Sequence, residues 1–158
     1  MRLHILLLLF PIFDFQSTNN TFTGTWNISR AFVLASGLNA LGSANIVLSG
    51  TSTLETGYTL NDGSNTLTMN GTGAVLDLNQ NWTFASLTYN GTTLSTGGTY
   101  TIAQLETNLG MTNSNFTNSA SSNTVTIAAA PEPSSLALLG LGAVGLLFVA
   151  RRRHSLIS

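Results

Sequence analysis

Three stretches in the middle of the chain decide the expected fold: NIVLSGT at residues 45–51, NTLTMNGT at 65–72 and FASLTYNGT at 84–92. Each alternates apolar and polar residues, which is the pattern of a β-strand with one buried face. Each also ends on a glycine–threonine pair. The first two begin twenty residues apart, and the third begins nineteen residues later. A repeat near twenty residues predicts a β-solenoid with one repeat per coil and with strands near residues 46, 66 and 86 stacked in parallel.

Further alternating stretches surround these three, at residues 53–55, 58–60, 74–79, 99–102 and 124–127. Thr56-Gly57 is expected to separate the first two, and Asn61-Asp62-Gly63 to form a turn, because these residue types favour turns. The prediction is an all-β body, a short β-solenoid of the parallel β-helix kind. The repeats are irregular, which leaves a β-sandwich as the alternative.

Two stretches favour helix instead. Ile102, Leu105 and Leu109 have helical spacing before Gly110, which predicts one or two helical turns. Residues 30–41 are ambiguous and also fit a short helix that caps the open end of the stack. Residues 112–123 are almost all Asn, Ser and Thr, which predicts a loop.

The composition excludes several kinds of chemistry. The 158 residues include no Cys, and the five basic residues are all Arg. Both histidines lie in the terminal tails, and between residues 15 and 130 the only ionisable side chains besides tyrosine are Arg30, Glu55, Asp62, Asp77 and Glu106. This leaves the body without a thiol nucleophile, an imidazole base or a Cys/His metal cage. One arginine cannot neutralise a run of phosphates. We therefore predict no enzyme activity, no catalytic residue, no metal, no cofactor and no nucleic-acid partner.

The C-terminal part predicts a membrane segment. Residues 134–150 carry no charge, and Arg151, Arg152 and Arg153 follow at once. Fifteen to eighteen helical residues span roughly 22–27 Å, slightly less than a hydrocarbon core of about 30 Å. Arginine side chains that reach toward the headgroups make up the difference. We predict one transmembrane helix over residues 134–150, with the three arginines as its inner stop.

The N-terminal part is similar to an export signal. Arg2 precedes the apolar run of residues 5–13, although no Ala-x-Ala cleavage site follows. Basic flanks stay on the cytoplasmic side of a membrane. If both basic flanks remain inside, residues 16–130 lie outside the cytoplasm, and residues 1–15 form the export segment.

Pro131, Glu132 and Pro133, the apolar helix and the Arg cluster occur in that order, and together they resemble the PEP-CTERM sorting signal. The resemblance implies that residues 131–158 form a sorting signal and that an exosortase, a membrane enzyme similar to a transpeptidase, processes the chain. Two prolines keep the tripeptide extended and outside the helix, so that a protease can bind it. The implied location is the inner membrane before processing, and the cell surface or extracellular matrix afterwards.

A second resemblance concerns the body. Residues 75–101, from Val75-Leu76-Asp77-Leu78 to Tyr100-Thr101, look like the autotransporter-associated β-strand repeat of large exported bacterial proteins. In that family the repeats form right-handed parallel β-helices that act as spacers. The resemblance implies about three to four such coils in this chain.

Aromatic side chains are the best candidates for a binding site. Trp82, Phe84, Tyr89 and Tyr100 lie within twenty residues, and exposed rings at Trp82, Tyr89 and Tyr100 would stack on sugars. The same rings also fit packing within the last coils. Asp62, Asp77 and Glu106 are expected in a turn, on a strand and on the polar face of a helix. We therefore predict a non-enzymatic exported surface or matrix protein, with a carbohydrate-binding or adhesive module of the exopolysaccharide matrix as the alternative.

Overall fold

The computed structural model describes residues 10–117 and 122–129, and most of these residues lie in short strands. The strands are β1 (Ile12–Phe15), β2 (Thr25–Ser29), β3 (Phe32–Ala35), β4 (Asn45–Ser49), β5 (Thr53–Thr56), β6 (Leu60–Asn70), β7 (Val75–Asp77), β8 (Trp82–Tyr89), β9 (Thr92–Leu94), β10 (Gly98–Tyr100) and β11 (Val125–Ile127). One helix, α1 (Ile102–Leu109), and one 3-10 turn (Asn113–Asn115) accompany them.

The strands form two sheets, and the chain alternates between them. The first sheet has the order β1-β3-β5-β7, and the second has the order β10-β11-β8-β6-β4-β2, with β9 paired to β8. All pairs among β1 to β8 are parallel. Ile12 pairs with Phe32, twenty residues later, and Thr53 pairs with Val75, twenty-two residues later. Four coils of 20 to 22 residues therefore make a short β-solenoid, which confirms the predicted fold over the β-sandwich.

The predicted stacking near residues 46, 66 and 86 is confirmed. Ile46 pairs with Leu67, and Leu67 pairs with Leu87, both in parallel. These three side chains are at most 1% exposed. On the opposite wall Leu54 and Leu76 pair and are fully buried. Apolar rows from both sheets thus fill one core, as a stack of half-buried strands requires.

Asparagine side chains satisfy backbone groups between coils. The amide N–H of Thr66 donates to Asn45 Oδ1 at 2.9 Å, and that of Thr124 donates to Asn81 Oδ1 at 2.9 Å. Asn115 is fully buried, and its Nδ2 donates to the carbonyl of Ala74 at 2.9 Å. Buried backbone groups need such partners where the sheet ladder stops. The Asn-rich composition of the body therefore has a structural use at the coil corners.

The regular coils end at β8, where the chain turns back on itself, and β11 later adds one parallel strand to the first half of β8. Tyr89 pairs with Thr92 in an antiparallel hairpin, and Asn90 and Gly91 between them have φ of 47° and 86°. Positive φ at both central residues is the requirement of a type I′ hairpin turn. The third glycine–threonine pair of the sequence therefore forms a hairpin, whereas Gly50 lies at the corner between two coils.

The helix expected before Gly110 is confirmed as α1. Thr101 and Gln104 form a capping box at its start, and Gly110 ends it with a left-handed conformation at φ 69°. Its apolar face, which includes Ile102 and Leu105, is buried. Beyond α1, Phe116 forms a parallel bridge to Leu76 of β7. These elements close the C-terminal end of the stack.

Two local predictions are wrong. Residues 30–41 hold no cap helix, because β3 pairs with β1 and β5 and directs Val33 and Ala35 into the core. Asn61-Asp62-Gly63 is not a turn, because it lies inside the eleven-residue strand β6. Asn61 and Asp62 pair regularly with β8, and the register shifts between Asp62 and Thr66, so a bulge follows them and includes Gly63.

The terminal predictions fall mainly outside the described residues. β1 begins at Ile12, inside the segment predicted as an export signal, while residues 1–9 are not described. The transmembrane helix predicted at 134–150 also lies outside the described ranges. Within residues 10–117 and 122–129, no helix has the length and apolarity needed to cross a membrane.

Truncating a fully buried core residue should destabilise the solenoid. Leu54 is 0% exposed and Leu38 is 66% exposed. We expect Leu54→Ala to lower the free energy of unfolding by about 2–5 kcal/mol, because it leaves a cavity between two coils. Leu38→Ala is the matched control and should stay within about 0.5 kcal/mol of the wild type. Urea unfolding followed by circular dichroism measures both, and equal losses in the two variants would contradict this core assignment.

Candidate functional site

The last described strand joins the body to the predicted sorting signal. β11 lies between β8 and β10 in the second sheet, with Val125 opposite Trp82. The N–H of Ala128 then donates to the carbonyl of Phe84 at 2.8 Å. The chain is thus held by backbone hydrogen bonds until directly before the candidate signal. Pro131, Glu132 and Pro133, like Arg151, Arg152 and Arg153, lie outside the described residues.

A close backbone approach and a pair of hydroxyl groups also hold this C-terminal strand. A Cβ atom added at Gly97 would lie 2.9 Å from the Cα of Ala129, so a glycine is needed for this close approach. The hydroxyls of Thr99 and Thr126 are 3.0 Å apart across the antiparallel pair. The body therefore fixes the chain as far as Ala129, two residues before the predicted tripeptide begins.

Trp82 is part of the core and not a surface platform. Its side chain is 0% exposed, and its indole N–H donates to Thr56 Oγ1 at 2.8 Å. Its ring packs edge to face with Phe84 at a centroid distance of 6.2 Å. The prediction that Trp82 contacts a glycan is wrong, because a fully buried ring cannot stack on a sugar.

The two predicted tyrosines differ in exposure. Tyr89 is 5% exposed, so its prediction as a glycan contact is also wrong. Tyr100 is half-buried, and its hydroxyl donates to the carbonyl of Thr96 at 2.8 Å. Trp82, Phe84 and Tyr89 fit the alternative of packing within the last coils. Part of the Tyr100 ring remains accessible.

Among the acids, Asp62 differs most from the sequence-based prediction, which placed it in a turn. Its side chain is 8% exposed and accepts a hydrogen bond from Asn65 Nδ2. Burial raises the pKa of this carboxyl above its ordinary value, although the hydrogen bonds from Asn65 and from the backbone of Ala44 oppose the shift. Asp62 and Tyr58 line one shallow cavity, and burial raises the pKa of the Tyr58 phenol. A register shift that changes which residues of a strand face inward gives no signal in a single sequence.

Three other acids share one outward row of the first sheet. Asp14, Leu34, Glu55 and Asp77 occupy equivalent positions on β1, β3, β5 and β7. Glu55 accepts a hydrogen bond from Asn79 Nδ2 at 2.8 Å. Asp14 accepts hydrogen bonds from Gln16 and Ser36, and these lower its pKa. Among the described residues, no three Asp, Glu, His or Cys side chains form a group that could hold a metal ion.

The opposite pKa shifts of Asp62 and Asp14 predict opposite pH dependences. The pKa of Asp62 is raised in the folded state, so its contribution to stability is present below the unfolded pKa of about 3.9 and is lost as pH rises through the folded pKa. The pKa of Asp14 is lowered, so its contribution is present above the unfolded pKa and is lost as pH falls. As pH rises from about 3 to about 7, Asp62→Asn should therefore become more stable relative to the wild type. Over the same range Asp14→Asn should become less stable relative to the wild type.

Urea unfolding at several pH values measures both differences. Each variant serves as the control for the other, because both remove one carboxylate with little change of shape. A difference from the wild type that stays constant with pH in Asp62→Asn would contradict the raised pKa.

Comparisons with known proteins bear on the C-terminal part of the chain. Residues 129–153 match the family model for the PEP-CTERM protein-sorting motif. No curated protein and no solved structure matches the chain. The match begins two residues after β11 ends, and it includes the tripeptide, the apolar segment and the Arg cluster. Such a motif supports an exported protein that is anchored at the membrane and then processed by an exosortase-type enzyme. The chain thus carries a PEP-CTERM sorting signal at residues 129–153, attached to a β-solenoid body.

Proposed function

We propose that this chain is a non-enzymatic protein of the cell surface or extracellular matrix, delivered there by export and exosortase processing. The observation that carries this proposal is the position of the sorting motif. The motif starts at residue 129, immediately after the last strand of the body ends at Ile127. Removal of the signal within or after the tripeptide would leave every described strand of the solenoid in place.

The ionisable groups of the body support a structural role. General acid–base cleavage of a glycan needs two carboxyl groups that face a common substrate. Asp62 is buried against Asn65, and Glu55 is hydrogen-bonded to Asn79. Asp14 is bonded to its neighbours on the first sheet. These carboxyl groups are each engaged with neighbouring side chains of the fold, so we assign them no catalytic function.

The outer surface of the second sheet supports a spacer function. Neutral residues Asn27, Val47, Thr68, Thr88 and Thr93 form one row across β2, β4, β6, β8 and β9. Short polar side chains on a parallel stack give a stiff, hydrated rod with few charges. The autotransporter-associated repeats that this body resembles act as spacers, and we propose the same use here. The rod would separate the membrane anchor from a neighbouring surface or matrix component.

A second candidate function is carbohydrate binding at the C-terminal end of the stack. The half-buried side chain of Tyr100 lies on the short strand β10 at this end. An aromatic ring that reaches the surface is suited to stack on a neutral sugar. Retention on immobilised exopolysaccharide that is lost in Tyr100→Ala would favour this function. No retention of the wild-type protein would remove it.

The sorting signal has a physical explanation in two parts. Proline disfavours helix at the residue before it and blocks helix at its own position, so Pro131 and Pro133 would disfavour helix around Glu132. Each arginine costs roughly 2.5–3.5 kcal/mol at the bilayer centre on the insertion scale. Arg151, Arg152 and Arg153 would therefore stop translocation with the tripeptide at the outer membrane surface.

Replacing Pro131, Glu132 and Pro133 together with alanine should block processing. The alanines allow the predicted helix to extend into the cleavage region, so we expect a membrane-bound precursor with the mass of the unprocessed variant. Fractionation of the native host, followed by immunoblotting and mass measurement, tests this. Leu38→Ala is the control, because Leu38 is exposed on the body and lies outside both the predicted export segment and the sorting motif.

Replacing the three arginines with serine should have a different effect. Without the charged stop, the tail slips outward and unprocessed protein leaks from the cell. Normal processing of the triple-alanine variant would show that the tripeptide does not direct processing, and this part of the proposal would then fail.

A further inference from the structure

The two ends of the solenoid differ in how their core is covered. The inward row of the first sheet contains Phe13, Val33, Leu54 and Leu76 at equivalent positions of successive coils. Their exposed fractions are 49%, 3%, 0% and 0%. At the C-terminal end, α1 and Phe116 complete the core. Phe13 is therefore a core-facing residue whose covering layer is missing at the N-terminal end of the described residues.

The exposed surface at this end is aromatic and apolar. Trp26 of β2 packs against Phe15 at a centroid distance of 5.1 Å and against Phe22 at 4.9 Å. Phe22 is nevertheless 40% exposed, and Ile12 is 73% exposed. An open cleft between the sheets is lined by Phe13, Phe15, Trp26, Ile28, Ala31 and Val33, among others. Exposed apolar surface of this kind marks an interaction site.

The outer strands at this end also have free hydrogen-bonding edges. Among the described residues, β1 pairs only with β3, and β2 pairs only with β4. One edge of each strand therefore presents unpaired N–H and C=O groups, and such edges readily pair with another chain. A partner that covers this end fully would pair one strand with β1 and one with β2. It would also place apolar side chains against the cleft between the two sheets.

We propose that the open end binds the open end of a second copy, so that both sheets continue across a twofold axis. A single chain would need a further coil of 20 to 22 residues to add one strand to each sheet. A second copy related by a twofold axis supplies both strands at once. A twofold axis perpendicular to the sheets places β1 antiparallel to its mate and β2 antiparallel to its mate. Phe13 and Trp26 of each copy then cover the core of the other. We call this contact the end-to-end interface.

The closed C-terminal end limits the assembly to a dimer. There the second sheet ends in β10, which pairs antiparallel with β11, and α1 packs beside it. The core is covered at this end, so only another open end offers a matching apolar surface, and this contact is isologous and does not propagate into a fibre. The interface involves strands of only four and five residues, so we expect dimerisation to depend on protein concentration.

Cysteine cross-linking in the full chain tests the geometry, since the natural sequence has no cysteine. Thr25, Asn27 and Ser29 point outward on β2. We expect cysteines at these positions, tested singly and in pairwise mixtures, to form a disulfide-linked dimer that reductant reverses. Val47→Cys is the matched control, because Val47 lies beside Asn27 on β4. Two copies of Val47 would be three strand spacings apart, about 14 Å, and a disulfide needs Cα atoms within about 7 Å.

Sedimentation equilibrium of the full chain in detergent gives a second, independent test. Phe13→Glu should produce monomer at concentrations where the wild type is a dimer, because it places carboxylates against the partner's apolar end. Leu38→Glu is the control, since Leu38 is exposed outside this end, and it should remain dimeric. Cross-linking at Val47 equal to that at β2, or a wild type that is monomeric at every concentration, would overturn the proposal. Monomer with slow amide exchange in β2 would show that the chain's own preceding residues cover the end. Neither test depends on exosortase processing.

Discussion

Each coil of this solenoid covers the apolar side chains of the coil before it, and the structure depends on this nearest-neighbour contact. Leu54 and Leu67 are fully buried because strands lie on both sides of them, and Leu76 is fully buried between β5 and the bridge to Phe116. Phe13 has the same inward direction but only one neighbouring strand, and half of its surface is exposed. In a stack of this kind, stability is close to a sum of coil and interface contributions. The two ends therefore decide how the chain behaves in solution and what it binds.

The sequence predicted the features that follow from regular spacing. Strands near 46, 66 and 86 repeat at about the length of one coil, and Ile102, Leu105 and Leu109 have the spacing of one helical face. Both predictions are confirmed, because periodicity and burial have the same cause. The sorting signal was also identifiable from sequence, since it is a linear arrangement of tripeptide, apolar segment and charge.

The errors lie at places where the inward-facing side of a strand changes along its length. The irregular pairing between β6 and β8 lies at Asp62, so a residue that reads as a turn is buried within a strand. In β8, Trp82 and Phe84 point inward and so do Leu87 and Tyr89, which breaks strict alternation. A pattern of period two cannot show which face Trp82 occupies across such a shift. Only the pairing with neighbouring strands decides that Trp82 bonds to Thr56 and does not face a ligand.

The body and the signal have separate physical roles that meet at one short connection. The body has few charges, uses Asn and Thr side chains to satisfy its corners, and keeps the chain in the second sheet up to Ala128. The signal follows directly at residues 129–153. This arrangement means that loss of the signal costs the body no strand. Among the described residues, most exposed large apolar side chains lie at the open N-terminal end.

The intact mass of the processed protein from the native host is the decisive measurement. We expect a product that retains both terminal strands, from Ile12 to Ile127, and lacks the apolar segment and the three arginines. A product that has lost β1 or β11 would contradict the proposed body. A mature protein that still carries residues 136–158 would contradict the proposal that the motif directs processing.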